Sequence, residues 1–348
     1  MPEVSNRMNQ NQIPTDKIYV IAEIGVNHDG SFEKAKKLID VAKSSGANAA
    51  KFQTFKTSRL ASKTTPKVPY QLLHIESSSH YEMLESLELS YSHHEKLYRY
   101  CIEQEIDFLS TPYSIEDAKF LNELGVKYFK VASADIVDLP LLETISQFKK
   151  PAILSTGMAN ENEIEQATST LGAKGVQVSL LHCTSQYPTP HYDASMARMI
   201  TLKKFNTRSI GFSDHTEDSI AAIMSVALGA KIIEKHITLD INDSGPDHKT
   251  SMSPSHFLEY INDIRTAEIS LGKQSFGRTE DENLMALTSR KSLHSSKALR
   301  RGTVVRLEDF VLLRPGSGIY FAEVEKLIGR KLKIDIEKTH MFSLEDFE

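Results

Sequence analysis

The chain has 348 residues, beyond the roughly 100 to 200 of a typical domain, so one large barrel-type domain or a main domain with a smaller companion is expected. Forty percent hydrophobic and 25% charged residues, with no apolar run near the roughly 20 residues of a bilayer span, argue against a membrane protein. The 41 Lys and Arg against 46 Asp and Glu leave a formal charge of -5, which gives no basic surplus for nucleic acid and points to small-molecule ligands. Two cysteines, Cys101 and Cys183, no CxxC, and a start without the apolar core of a signal peptide fit a reducing cytoplasm.

Short β-branched apolar runs alternate with amphipathic stretches through about the first 270 residues, the signature of βα units around a parallel sheet. The expected strands are 18–24 (IYVIAEI), 48–54 (NAAKFQT), 106–112 (IDFLSTP), 126–133 (VKYFKVAS), 151–156 (PAILST), 176–184 (VQVSLLHCT), 209–215 (SIGFSDH) and 230–237 (AKIIEKHI). Ser31 is placed to cap the first helix and Gly46 to end it, while Pro112 and Pro151 mark strand edges. Eight such units fit a (β/α)8 TIM barrel, because open doubly wound sheets usually stop at about five or six strands.

Residues 55–91 form a long excursion after the second strand, with KTTPKVPYQ and a short helical piece around HYEMLESLEL. Loops on that side of a barrel build sites, so this one is expected to cover substrate; the alternative is a surface insertion. The barrel is expected over 15–274, a polar linker over 275–288, and a small β-rich domain over 289–348.

In a barrel the reactive groups gather at the C-terminal strand ends. There stand Glu23, Lys51 with Gln53, Ser110 with Thr111, Lys130 with Ser133, Ser155 with Thr156, His182 with Thr184, Ser213 with His215, and Glu234 with His236. Charged groups ending apolar strands need partners, so these are expected to converge. Lys51 and Lys130, interleaved with hydroxyls, suit a phosphate or phosphoenol group better than two snorkelling surface lysines. His215 and His236 end adjacent strands and could share a divalent cation, although a lone histidine there reads as a hydrogen-bonded core residue. Glu234 shares the parity of His236 and is expected to orient it. His28 has no second histidine two residues away and reads as a loop residue. Arg314, in LRPGSG, is either a turn residue or a clamp for a sugar hydroxyl or carboxylate.

The segments AEIGVNHDGS, KFQTF, LSTP, FKVASAD, ILSTGM, LLHCTSQYPTP, IGFSDHT, ALGAKIIEKHITLD, GPDHKTSM and LLRPGSG closely resemble the bacterial sialic acid synthase family, which includes N-acetylneuraminate and legionaminate synthases. The resemblance implies a TIM barrel followed by an antifreeze-like (SAF) domain, in a domain-swapped homodimer. It implies condensation of phosphoenolpyruvate with an N-acetylated mannosamine-type sugar to a nine-carbon 2-keto-3-deoxy acid, releasing phosphate. It further implies manganese, or magnesium or cobalt, on His215 and His236. Phosphoenolpyruvate would lie on Lys51, Thr111, Lys130, Ser133, Ser155, Ser185 and Ser213. The sugar would meet Gln53, Asp135, Tyr187 and Asp247, with Arg314 reaching in from the partner subunit. Asp135 and Ser185 depart from a common bacterial form that has Glu and Asn, which bears on the detailed contacts at both. KFQTFK and HYEMLESLELS lean toward legionaminate-type members.

Glu23 is expected to orient the attacking water or shuttle its proton. Two rivals stand beside this reading. A Schiff-base aldolase would use Lys130 or Lys51 with a depressed pKa. A non-catalytic sugar-binding module would have no need for polar groups at eight strand ends.

Overall fold

The structure, a computed structural model, describes residues 13–14, 16–66, 79–205, 207–272 and 275–348; the KVPYQ part of KTTPKVPYQ lies outside the described residues. The chain divides into two compact units, Met1–Gly272 and Lys273–Glu348.

The first unit is a barrel. Its strands are β1 (Tyr19–Gly25), β2 (Ala49–Thr54), β3 (Asp107–Pro112), β4 (Phe129–Val131), β5 (Ala152–Ser155), β6 (Val178–Cys183), β7 (Ser209–Asp214) and β8 (Ile232–His236). The paired strands run parallel, β8 pairs with β1, and β3 lies beside β4, which closes the sheet. The helices are α1 (Phe32–Ser44), α2 (Thr57–Leu60), α3 (His80–Leu87), α4 (Tyr91–Glu103), α5 (Ile115–Leu124), α6 (Leu139–Gln147), α7 (Glu161–Gly172), α8 (Arg198–Leu202), α9 (Ile220–Ala227) and α10 (Pro254–Leu271).

Local chemistry sets these boundaries. The Ser31 side chain accepts from the Lys34 amide to start α1, and Gly46, at φ +90°, takes the left-handed turn that follows it. A reciprocal Ser79–Glu82 capping box starts α3 inside the long excursion, which is therefore folded over its described C-terminal part. The fourth strand is shorter than expected. After Val131 the chain leaves the ladder, and Ser133 opens a 3-10 helix (Ser133–Val137).

Alternation along the strands makes two apolar layers. Outward residues such as Val20, Phe52, Phe108, Leu180, Phe212 and Ile233 pack against the helices. Inward residues Tyr19, Ile21, Ala49, Leu109, Tyr128, Ile153, Leu181 and Ile232 fill the barrel, with Ile13 packed among them. Gly211 occupies an inward position where a Cβ would run into the Ile232 carbonyl and the Leu181 side chain.

The second unit gathers Leu293, Leu299, Val305, Leu327, Leu332, Phe342 and Phe347 in its own core. Its strands β9 (Ser292–Ser295) and β10 (Phe310–Leu313) pair antiparallel, and isolated antiparallel bridges such as Leu299–Ile336 extend the pattern. The stretch expected to be a linker instead carries a helix, α11 (Glu280–Ser289), started by a Thr279–Glu282 capping box. It is anchored, because the Gly316 amide donates to Leu287 O at 2.7 Å, and a Cβ at Gly316 would meet Ala286 O. No described helix is long and apolar enough to cross a membrane.

Candidate active site

A cavity of about 550 Å³ opens where the inward side chains pass from apolar to polar. One step above Ile21, Ala49, Leu109, Ile153, Leu181 and Ile232 stand Glu23, Lys51, Thr111, Ser155, Cys183 and Glu234, and all six line it. Lys130, Ser133, Ser185, Ser213, His215 and His236 complete the polar wall, and Gln53, Tyr187 and Asp247 also line it.

Parity sorts the strand-end residues. Ser110, Thr156 and His182 are buried but do not line the cavity. Ser110 Oγ bonds Thr54 Oγ1 at 2.6 Å, Thr156 Oγ1 donates to Leu181 O at 3.0 Å, and His182 Nε2 donates to Ala194 O at 2.7 Å. Among the expected sugar contacts in this unit, Asp135 stands outside the lining. Its Oδ2 is buried without a hydrogen-bond partner, and burial, helped by Asp138, pushes its carboxyl up to about 6. Arg314 belongs to the second unit, where it is exposed. His28 is buried outside the cavity, with its Nδ1 accepting from the Gly30 amide at 3.0 Å.

At the floor lie two ammonium groups and two carboxylates. Lys51 Nζ sits 2.7 Å from Glu23 Oε2 and 3.6 Å from Glu234 Oε2, and Lys130 Nζ lies 3.9 Å from Glu234 Oε1. Hydroxyls fill the remaining directions: Lys51 Nζ donates to Thr111 Oγ1 at 3.3 Å, Lys130 Nζ to Ser155 Oγ at 2.6 Å, and Ser213 Oγ to Glu234 Oε1 at 3.0 Å. Glu234 therefore does not orient His236 as expected; its carboxylate is drawn to the two lysines, the stronger attraction in a buried site.

The charges respond accordingly. Burial opposes ionisation of Glu234, but Lys130 and Lys51 hold it below the usual carboxylate range. Glu23 goes the other way: burial outweighs Lys51, and with Glu234 close by its carboxyl rises to about 7. Burial would lower Lys51, yet the two glutamates keep it above the ordinary lysine range, while burial wins at Lys130 and lowers it.

Above this floor the His215 and His236 rings lie 5.5 Å apart, with Tyr187 4.0 Å from the His215 ring. His215 Nδ1 donates to Thr184 O at 2.8 Å, which leaves Nε2 as the acceptor of the neutral ring; burial pulls the imidazole down, yet Cys183 close by raises it above its ordinary range. His236 Nδ1 is buried without a hydrogen-bond partner and lies 3.9 Å from Asp247 Oδ2. Burial and the neighbouring His215 hold the His236 imidazole well below the ordinary histidine range, so it is neutral and able to ligate. The donor set fits a divalent cation.

Two features escaped sequence reasoning. Cys183 lines the cavity with Sγ 3.8 Å from His215 Nδ1; the period of two from Leu181 was the signal that could have found it. Gly157 approaches so closely that a Cβ there would collide with Ser185 Oγ and Ser133 Oγ, and its amide donates to Ser133 Oγ at 3.0 Å.

A closed parallel barrel with its polar cavity at the C-terminal strand ends places the chain among barrel proteins whose ligand sites are built on that face. Residues 38–276 match the NeuB family and residues 290–348 the SAF domain, and the chain belongs to the NeuB family. It is 40% identical to the N,N'-diacetyllegionaminic acid synthase of Campylobacter jejuni over 90% of this chain and 95% of that one. It is 38% identical to the enzyme of the same name from Legionella pneumophila over 91% of each. A solved structure of N-acetylneuraminic acid synthetase from Leptospira borgpetersenii, in complex with citrate, superposes with a TM-score of 0.70 at 30% identity, covering 77% of this chain and 90% of that one.

Proposed function

We propose that the protein condenses phosphoenolpyruvate with an N-acylated mannosamine-type sugar aldehyde and water, giving a nine-carbon 2-keto-3-deoxy acid and phosphate. The observation that carries this reading is the convergence of Lys51 and Lys130, Glu23 and Glu234, and His215 and His236 on one cavity. Lys51 and Lys130, with Thr111, Ser133, Ser155, Ser185 and Ser213, hold the phosphate and carboxylate of phosphoenolpyruvate, charge-assisted contacts strengthened by burial. A divalent cation, manganese by preference and magnesium or cobalt as substitutes, would be held by His215 and His236 and would polarise the aldehyde carbonyl. Glu23, with a carboxyl near 7, holds or gives up a proton at working pH and orients the water that adds to the former enol carbon. Gln53, Tyr187 and Asp247 position the sugar.

The sugar we favour is 6-deoxy-2,4-diacetamido mannose, giving N,N'-diacetyllegionaminate. Two relatives at 40% and 38% identity carry that product in their names. The cavity supports the same choice. Val26, Leu60, Met83, Leu84 and Leu87 make one wall apolar, and among the described residues Lys51 and Lys130 are its only lysines, with no arginine. Among the described residues a 6-phosphate would find no lysine or arginine on that wall, where His80 is the one basic side chain, whereas a deoxy carbon and acetamido methyls bury apolar surface. We further propose a cytoplasmic homodimer in which Arg314 reaches the partner's sugar site.

The deciding experiment measures phosphate release with 6-deoxy-2,4-diacetamido mannose, N-acetylmannosamine and its 6-phosphate side by side, before and after chelation. Preference for the first sugar and loss of turnover restored by manganese are expected. His215→Ala and His236→Ala should each abolish release in folded protein; undiminished turnover in both would sink the metal assignment. Borohydride trapping of a lysine adduct would support the aldolase rival instead.

A further inference from the structure

The two histidines are held from behind by a buried polar cluster that the chemistry above does not use. Asp214 and Lys235 are register partners at the C-terminal ends of β7 and β8, and both point away from the cavity. Each is 1% exposed. Asp214 precedes His215 and Lys235 precedes His236.

The cluster is closely bonded. Asp214 Oδ1 accepts from both the amide and the hydroxyl of Thr216 at 2.8 Å, and Oδ2 accepts from Tyr260 of α10 at 2.8 Å and faces Lys235 Nζ at 3.3 Å. Lys235 Nζ also donates to the Thr216 carbonyl and lies 5.3 Å from the centre of the Tyr260 ring. Both backbone polar groups of Thr216, the residue after His215, are therefore tied to this pair.

One rung earlier on the same outward face, the register partners are Phe212 and Ile233, an ordinary apolar pair. Packing alone would be served by continuing that pattern, because burying two charges costs desolvation that an apolar pair avoids. What an ion pair adds is direction. It fixes the main chain on both sides of His215 and the strand end that presents His236, and these two rings must sit at ligand geometry to within a fraction of an ångström.

We propose that Asp214 and Lys235, braced by Tyr260 and Thr216, are positioning residues that set the spacing and orientation of the His215–His236 pair. The proposal rests on the two-histidine metal reading given above.

Cobalt(II) titration of the purified full chain, followed by its visible absorption, tests this without reference to turnover. Lys235→Met, which keeps the length of the stem, should weaken cobalt binding about tenfold or more and alter the absorption band. Tyr260→Phe, which removes one hydroxyl and keeps the ring, should weaken it severalfold, so a Lys235→Met protein that fails to fold leaves a second variant to decide. Phe212→Leu supplies the packing control: it should lower the thermal midpoint with cobalt affinity and spectrum unchanged. Cobalt binding of Lys235→Met and Tyr260→Phe equal to the parent's, whatever their thermal midpoints, overturns the positioning role. A parent protein that takes up no cobalt, or His215→Ala and His236→Ala variants that bind it as well as the parent, overturns the two-histidine reading and the proposal with it.

Discussion

The lower and upper halves of the barrel interior are built from the same strands in the same parity, yet they have opposite character. Below, Ile21, Ala49, Leu109, Ile153, Leu181 and Ile232 pack without a polar atom in their side chains. Two residues on, roughly 6–7 Å along each strand, Glu23, Lys51, Thr111, Ser155, Cys183 and Glu234 face the cavity. The lower layer supplies the stability that lets the upper one hold buried charge, so the two can be broken separately.

Glu23→Gln should break the upper layer most deeply. Loss of a positioned acid or base typically costs about 10²–10⁴ in rate. As the base form is required, kcat/KM of the parent should rise with pH through about 7, the value to which burial lifts this carboxyl. The variant should lose that rise; an unchanged acid limb would assign it to another group. Lys51→Met follows, with kcat/KM for phosphoenolpyruvate falling roughly 10²–10³-fold. Its stability cost should stay below the ~3–5 kcal/mol usual for orphaning a buried charge, because Glu23 can take up a proton when the ammonium goes. Denaturant melts at pH 6 and pH 8 check this, with the larger loss expected at pH 8, where keeping the orphaned carboxyl protonated costs more against an unfolded chain that ionises it freely.

Gly211→Ala attacks the lower layer. The added methyl meets the Ile232 carbonyl and Leu181, so a loss of about 1–3 kcal/mol is expected in denaturant melts. The effect on KM for either substrate should be small, since Gly211 lies one inward step below Ser213 and does not line the cavity. A large KM change with unaltered stability would mean that the two layers are not separable.

How much of this was legible depends on which period carried it. Apolar runs of period two located all eight strands within a few residues, and Lys51, Lys130, His215 and His236 stood out because charge at the end of such a run has few explanations. The same period also separated inward from outward residues. Applied strictly, it would have removed Ser110, Thr156, His182 and Thr184 and added Cys183. What one strand cannot reveal is its neighbour's register. Glu234 reads as a partner for His236 along β8, but across the barrel it meets Lys51 and Lys130. The stretch taken as a linker shows a third limit: polar residues around GRTEDEN hide a capped helix whose moorings lie about thirty residues on, at Gly316.

Arg314→Ala sharpens the comparison from outside the barrel, with the smallest effect. Its turn is held by α11 and by Ser292 Oγ donating to Pro315 O at 2.7 Å, so removing an exposed side chain should leave the second unit folded. If the barrel contains every group that moves a proton or holds phosphate, this arginine contributes binding alone. A lost charge-assisted hydrogen bond is worth about 1.5 kcal/mol, roughly tenfold in affinity. KM for the sugar should therefore rise severalfold to about tenfold, while kcat and KM for phosphoenolpyruvate stay near the parent's. An equal rise in both KM values would argue against a sugar clamp. Lysine in its place should recover only part of the loss, because a single ammonium cannot reproduce the planar fork of a guanidinium. Because that arginine is proposed to come from the partner, the same measurement in protein diluted until it sediments as a monomer should reproduce the variant's sugar KM without any mutation.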